Sequence, residues 1–279
     1  MVSTVAAPAS TRARGGAARA AVRLGAVSYL NVEPIIYGLD RDSRFTLERE
    51  VPSRVAERLH AREIDLGTIP SIEYALGDYA IVPGIAIASC GPVRSVNLYH
   101  QRPVDELRRV ALDTSSRTSV ALLKVLLRER LSRDPEYVEM APSLDAMLGV
   151  ADGALMIGDP ALYSEGPVEK LDLGEAWQRS TGLPFVYAFW AGRPGVIDEA
   201  GIAALQAALA AGKKAVPEIA RAYAPQGAER AAQNETYLTS CIQFDLGAAE
   251  QAGLCEFYAR AFALGLIPRV PELRFHGHL

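Results

Sequence analysis

Apolar and polar positions along the chain fall into short runs of two kinds. Val22-Arg23-Leu24-Gly25-Ala26-Val27 is an extended apolar run that ends in Ser28-Tyr29-Leu30-Asn31, where polar groups and Pro34 mark a strand-to-helix turn. Phe45 to Val51 alternates with period two, and Pro52-Ser53 opens a helical stretch through Arg62. Ile64-Asp65-Leu66-Gly67 predicts a short strand that ends at Ile69-Pro70-Ser71. Val110-Ala111-Leu112-Asp113 predicts another strand, and an apolar helix follows from Ser119 to Arg130. From Asp198 onward the pattern is helical, with Ala-rich stretches over 200–224, a turn near Pro225-Gln226-Gly227 and a helix from Gly247 to Leu264. Strands that alternate with helices specify an α/β fold of parallel sheets wrapped by helices.

Sliding the chain against itself by 90 positions brings Pro52-Ser53 onto Pro142-Ser143 and Pro70 onto Pro160. In both copies a strand leads into a polar turn, a helix follows the Pro-Ser pair, and a short strand runs into a second turn. The second copy of that strand is Ala154-Leu155-Met156-Ile157. Two similar lobes are therefore expected. Val93 to His100 reads as the strand leaving the first lobe for the second, and Tyr187-Ala188-Phe189-Trp190 as the return. These limits place 1–21 in a tail, 22–98 plus 189–279 in lobe I and 99–188 in lobe II. Two crossings make a hinge, and the crevice between sheet edges is where such folds take ligands.

About half of the 279 residues are apolar and spread through the chain, enough for sizeable cores without staples. Net charge is −4, with acidic and basic residues interleaved, which argues against a nucleic-acid partner. Cys90, Cys241 and Cys255 form no CxxC and no Cys/His pair at metal-ligand spacing, so a reducing, cytoplasmic setting is expected, with no metal and no cofactor. The Ala-, Ser-, Gly- and Arg-rich start lacks the apolar core of a secretory signal and reads as a disordered tail. No apolar run approaches the roughly 20 residues of a membrane helix, so a soluble protein is expected.

The sharpest candidate chemistry is Asp113-Thr114-Ser115-Ser116-Arg117-Thr118-Ser119 at the start of an apolar helix. Free backbone amides and the positive end of the helix dipole favour an anion there, and hydroxyls at Thr114, Ser115, Ser116 and Thr118 plus Arg117 add donors. Simple capping needs only one such hydroxyl. On the facing turn, Ser28, Tyr29 and Asn31 offer a hydroxyl, a phenol and a carboxamide, although Asn31 alone also reads as an N-cap. Ser95 follows Ser89-Cys90-Gly91-Pro92-Val93-Arg94 on the way into the crossover strand, and reads equally as a strand hydroxyl satisfied by backbone. Ser71 and Glu73 after Pro70, and Gly158 and Asp159 before Pro160, occupy the paired turns, where both sets also suit ordinary caps. His60, His100, His276 and His278 lie apart in sequence and suggest no Ser-His-Asp or His-metal arrangement. GxSxG, P-loop and GxGxxG motifs are absent, so acyl, phosphoryl and hydride transfer are not expected.

Taken together, Ser28-Tyr29-Leu30-Asn31-Val32-Glu33-Pro34, Asp65 to Glu73, Gly91-Pro92-Val93-Arg94-Ser95-Val96 and Thr114 to Ser119 resemble the chorismate dehydratases of the futalosine menaquinone route. The likeness spans roughly Val22 to Gly192 and rests on the combination of motifs at this separation. It implies a periplasmic-binding-protein type II fold and a reaction in which chorismate loses water to give 3-[(1-carboxyvinyl)oxy]benzoate. For that reaction no histidine stands at the turns to act as base, so the substrate's own enolpyruvyl carboxylate is expected to take the proton, with Asn31 and Ser95 as its positioning groups and Glu73 or Asp159 as protein alternatives. A non-catalytic binding or sensing protein for a small carboxylate uses the same clamshell and is the alternative. Prephenate dehydratase shares fold class and substrate neighbourhood, but its Thr-Arg-Phe signature and trailing regulatory domain are not found.

Overall fold

The computed structural model describes residues 20–131, 134–164, 168–224 and 226–277. The expected tail lies outside them up to Arg19, as do Pro225 and His278. The chain runs through β1 (Val22–Val27), β2 (Phe45–Glu50), α1 (Pro52–His60), β3 (Leu66–Pro70), β4 (Ala80–Ile81) and β5 (Ile87–Ser89). It continues with β6 (Val96–His100), β7 (Arg109–Asp113), α2 (Thr118–Arg128), β8 (Glu136–Met140), α3 (Leu144–Leu148), β9 (Gly153–Ile157), α4 (Gly158–Leu162), β10 (Glu169–Asp172) and α5 (Leu173–Thr181). The last strand is β11 (Phe185–Gly192), followed by α6 (Glu199–Lys214), α7 (Val216–Ala222), α8 (Ala228–Thr236) and α9 (Ala248–Ala263).

Two sheets result, one ordered β2-β1-β3-β11-β4 with β5 also paired to β11, the other β10-β6-β9-β7-β8. In each, a central strand has parallel partners on both sides: β1 lies between β2 and β3, and β7 between β8 and β9. An antiparallel strand then joins from elsewhere in the chain, β11 beside β3 and β6 beside β9. The internal repeat is thus real as topology. One of its two sequence matches is not structural, because Pro70 closes β3 whereas Pro160 sits inside α4, and Ile157 is the residue that closes β9. The limits at 98/99 and 188/189 fall inside strands, since β6 pairs along its whole length within the second sheet and β11 within the first. A ladder commits a strand to one sheet from end to end, so the chain crosses in the short loops before β6 and before β11.

Local sequence explains the elements that flank the crossings. α1 starts on Pro52, whose fixed φ and missing N–H suit a first helical turn, and buries Val55, Ala56 and Leu59. Trp177 of α5, Phe185 of β11 and Phe257 of α9 meet edge to face at centroid distances of 5.3, 6.2 and 4.9 Å, so the second crossing is clamped by three fully buried rings. The Trp177 indole N–H also donates to the Pro184 carbonyl at 3.2 Å. The first crossing is held by a carboxylate. Asp172 accepts from the amides of Val93 (3.1 Å) and Arg94 (2.6 Å) in the loop, and from Gly174 (2.9 Å) and Glu175 (3.1 Å) at the start of α5. The C-terminal helices return to the first sheet: α6 and α7 pack on the 3₁₀ turn Leu30–Ile35, and α9 on β11. No helix among the described residues is long and apolar enough to cross a membrane.

Removing the Asp172 carboxylate strips a helix cap and two loop amides of their acceptor at once. Asp172→Ala is expected to lower unfolding stability by about 2–4 kcal/mol, read from the urea midpoint at constant m-value.

Candidate active site

Between the two sheets lies a crevice with about 540 Å³ of empty space, counting its open mouth. Its walls are the C-terminal ends of β1, β3 and β9, the entry to β6 and the first turn of α2. This is the position at which open α/β sheets bind ligands, because helix starts and turns there present unpaired polar groups. Val27, Val32, Ile87 and Val96 give it an apolar lining, against which a few polar side chains stand out.

From the first sheet come Tyr29 and Asn31. Tyr29 contacts the crevice with its ring, and its hydroxyl lies 3.3 Å from Ser115 Oγ. Burial pushes its phenol above the ordinary tyrosine value, so it stays neutral and can donate. Asn31 lines the crevice, and its Oδ1 is buried with no donor among the described residues. From the crossing loop comes Ser95, 1% exposed, with Oγ 2.7 Å from the Tyr237 hydroxyl. The Ser95 carbonyl accepts from the Gly158 amide at 2.8 Å. Gly158 has φ of +64°, and a Cβ there would stand 2.5 Å from the Tyr29 ring, so only glycine lets the β9 turn and the ring approach so closely.

The hydroxyl-rich turn divides into three parts. Asp113 Oδ1 accepts both the amide (2.8 Å) and the hydroxyl (2.6 Å) of Ser115, so that hydroxyl is committed inside the turn and Ser115 does not line the crevice. Thr114 is exposed and opens onto a neighbouring cavity with Glu73, Lys124 and Glu139. Ser116, Arg117, Thr118 and Ser119 do line the crevice. None of them caps α2 through its side chain, so its first amides remain available to an anion in addition to the hydroxyls. Thr118 Oγ1 also accepts from the Ile72 amide at 3.2 Å, drawing the start of α2 against the end of β3. Arg117 stands at the rim, 44% exposed, 3.3 Å from Glu57 and 4.0 Å from Glu73.

Other expected residues support the site without facing it. Ser28 is exposed and contributes its carbonyl to Tyr223 Oη at 3.3 Å. Ser71 is fully buried and donates to the Val186 carbonyl at 2.8 Å. Asp159 accepts the Leu30 amide at 3.1 Å and the Tyr223 phenol at 2.5 Å, tying α4 to the 3₁₀ turn on the other sheet. Burial raises its carboxyl above the ordinary range, and those two donors partly offset the rise. Glu73 bonds His60 Nε2 at 2.8 Å, and His60 Nδ1 meets the Tyr79 hydroxyl at 2.7 Å, outside the crevice. Tyr187 also lines the crevice; the sequence pattern marks it only as part of the returning strand and gives Tyr237 no role. Tyr187 is an ordinary strand position in the pattern, and Tyr237 sits among Ala-rich C-terminal helices with no motif around it.

With the geometry in view, comparison with known proteins places the chain. A model of the menaquinone biosynthesis family matches residues 22–263. The chain belongs to the menaquinone biosynthesis family. A relative, the chorismate dehydratase of Thermus thermophilus, is 33% identical over 264 residues, which cover 87% of this chain and 95% of that protein. The chorismate dehydratase of Campylobacter jejuni is 30% identical over 173 residues, 59% of this chain and 64% of that protein. In fold, this family member matches a crystal structure from Archaeoglobus fulgidus with a TM-score of 0.73 at 19% identity, over 90% of this chain and 100% of that one. It also matches the alkanesulfonate-binding protein of Xanthomonas axonopodis pv. citri bound to MOPS, with a TM-score of 0.68 at 18% identity over 91% and 96% of the two chains. At these identities the likeness is one of fold, the periplasmic-binding-protein-like clamshell expected from the sequence.

Gly158→Ala places a side chain at positive φ and against the Tyr29 ring. A loss of about 1–3 kcal/mol in unfolding stability is expected. Because the ring is the obstacle, the loss measured by urea unfolding should be smaller in a Tyr29→Ala background.

Proposed function

We propose that the protein is a chorismate dehydratase, a hydro-lyase that converts chorismate to 3-[(1-carboxyvinyl)oxy]benzoate and water. The carrying observation is the crevice itself. One wall is a helix start with no side-chain cap, lined by Ser116, Arg117, Thr118 and Ser119, and the other holds the Ser95 hydroxyl beside Asn31, whose Oδ1 has no donor among the described residues and is an acceptor suited to a ligand hydroxyl. Fixed donors on an apolar ground suit a small ligand with two carboxylates. Membership of the menaquinone biosynthesis family and the match to the Thermus thermophilus enzyme support the same reading.

The reaction breaks one C–H and one C–O bond and forms one ring C=C. The hydrogen on the ether-bearing ring carbon is vinylogously acidic to the ring carboxylate. Its removal gives a dienolate, which expels the neighbouring hydroxyl; that hydroxyl takes up the abstracted proton, so that water leaves and the ring is aromatic. Donors at the start of α2 would hold the carboxylate that receives the developing charge, and being fixed they need no reorganisation as it develops. We assign the proton to the substrate's own enolpyruvyl carboxylate, positioned by Asn31 and Ser95. Two observations support that assignment: Glu73 is bonded to His60, and Asp159 to Leu30 and Tyr223, and neither carboxylate lines the crevice. The expected halves, 22–98 with 189–279 and 99–188, are retained as the parts that close on the substrate, with their limits moved to the loops before β6 and before β11.

Incubation of the purified protein with chorismate should give a product lighter by one water, with a benzoate-type ultraviolet band. Chorismate that binds but is not consumed would make the protein a binder, and a phenylpyruvate-type product from prephenate would make it a different dehydratase. Glu73→Gln and Asp159→Asn should each retain dehydration and both limbs of the pH profile. Loss of a true general base costs about 10² to 10⁴ in rate and removes one limb, so that outcome in either variant would name the base.

A further inference from the structure

Tyr237 lies 142 positions beyond Ser95, yet its hydroxyl is 2.7 Å from Ser95 Oγ, and both residues are 1% exposed. Asn31 neighbours the same phenol, so the two side chains assigned to the reaction converge on one buried hydroxyl. The segment that delivers it is unusual. After α8 the backbone widens into a single π-helical turn over Tyr237–Cys241. Such turns are rare and concentrate at functional sites, because an extra residue rotates the following side chains out of α-helical phase. Here the turn begins at Tyr237, which it leaves buried together with Leu238.

The helix before the turn is anchored rather than loosely docked. Asn234, fully buried, accepts from the Tyr163 phenol at 2.8 Å and donates to the Ala220 carbonyl at 3.2 Å. Arg230 stacks over the Tyr163 ring at 4.2 Å. Tyr163 follows α4, the helix whose first residue, Gly158, donates to the Ser95 carbonyl. Ser95 is thereby held at its carbonyl by Gly158 and at its hydroxyl by Tyr237, from two elements that are themselves tied together.

We propose that Tyr237 is a positioning residue for the dehydration, donating its phenolic proton to Ser95 Oγ so that the Ser95 hydroxyl proton is free to point into the crevice. The proposal rests on the chorismate dehydratase reading. Burial raises the phenol well above its ordinary range, so it remains a neutral donor across the working pH. A serine oxygen that accepts from a buried phenol becomes a better donor itself, since hydrogen bonds in a chain polarise one another. Without the phenol the Ser95 hydroxyl can rotate to other acceptors, and the group it presents to substrate is no longer defined.

The test is Tyr237→Phe, which keeps the ring and removes the hydroxyl, measured with Ser95→Ala and the double variant on chorismate. Tyr237→Phe should lower kcat about tenfold or more, with KM for chorismate changed by less than about threefold and thermal unfolding near wild type. The double variant should be no slower than Ser95→Ala alone, because one residue acts through the other. Wild-type kcat in Tyr237→Phe would overturn the role, and so would losses that multiply in the double variant. Should Tyr237→Phe not fold, 3,5-difluorotyrosine at position 237 retains the hydroxyl and strengthens it as a donor; an unchanged kcat would then overturn the role. Failure of the wild-type protein to consume chorismate is a separate result, which removes the dehydratase reading and this proposal with it.

Discussion

The Asp172 carboxylate is the contact on which the arrangement of the two sheets turns. The loop it holds carries Gly91 at φ +115° and Arg94 at φ +63°, and the second of these is a conformation that side-chain-bearing residues seldom adopt. Such a loop needs compensation, and two of its amides find it in a carboxylate that also caps α5. Asp172 is the last residue of β10, which pairs with β6, so one side chain sets where the loop ends, where α5 begins and how β6 enters the second sheet. Ser95 is the residue that this geometry delivers to the crevice. Burial raises the Asp172 carboxyl, and its four amide donors oppose the rise, as expected for a charge taken out of water and solvated by backbone instead.

Around the crevice the two halves are joined by polar contacts. Leu30 to Asp159, Ile72 to Thr118, and the Ser53 amide to the Ser115 carbonyl at 3.1 Å are each single hydrogen bonds across the seam. Each contributes on the order of 1 kcal/mol net, so these three together hold the lip of the crevice by a few kcal/mol. Apolar packing lies behind it, where α2 meets α9 and β11. A binding crevice profits from that division, because the lip can exchange partners with a ligand while the back of the seam keeps the halves in register.

Charge is distributed in keeping with an anionic ligand. The carboxylates around the crevice, Asp113, Asp159 and Glu73, are all bonded to structural partners: Ser115, Leu30 with Tyr223, and His60. What faces the crevice is neutral or cationic: Tyr29, Asn31, Ser95, the uncapped start of α2, and Arg117 at the rim. Acidic groups so placed orient donors without repelling a carboxylate at close range, and a dehydration that builds negative charge on the substrate benefits for the same reason.

The sequence by itself determined what depends on neighbours in the chain. Period-two and period-3.6 runs located β1, α1, β3, α2, β9 and α9, and the polar turns at strand ends marked Asn31, Ser95 and Ser116 to Thr118, which do reach the crevice. The repeated grammar of strand, helix and strand anticipated two matching sheets, because each copy must bury the same kind of apolar face. Only the tertiary structure decided which way a turn residue points and what it meets. Ser115 is a donor by pattern, but the Asp113 carboxylate takes its hydroxyl, and the adjacent Thr114 faces a different cavity. Asp159 and Glu73 carry the right chemistry for a base but are bonded to partners outside their own turns, Asp159 to Leu30 and Tyr223 and Glu73 to His60. Tyr237 had no local signal at all, since a helix pattern fixes a buried face and not the residue, 142 positions away, that the face will touch. Hydrophobic periodicity is a property of single elements, whereas hydrogen-bond partnership at a crevice is a property of how several elements pack.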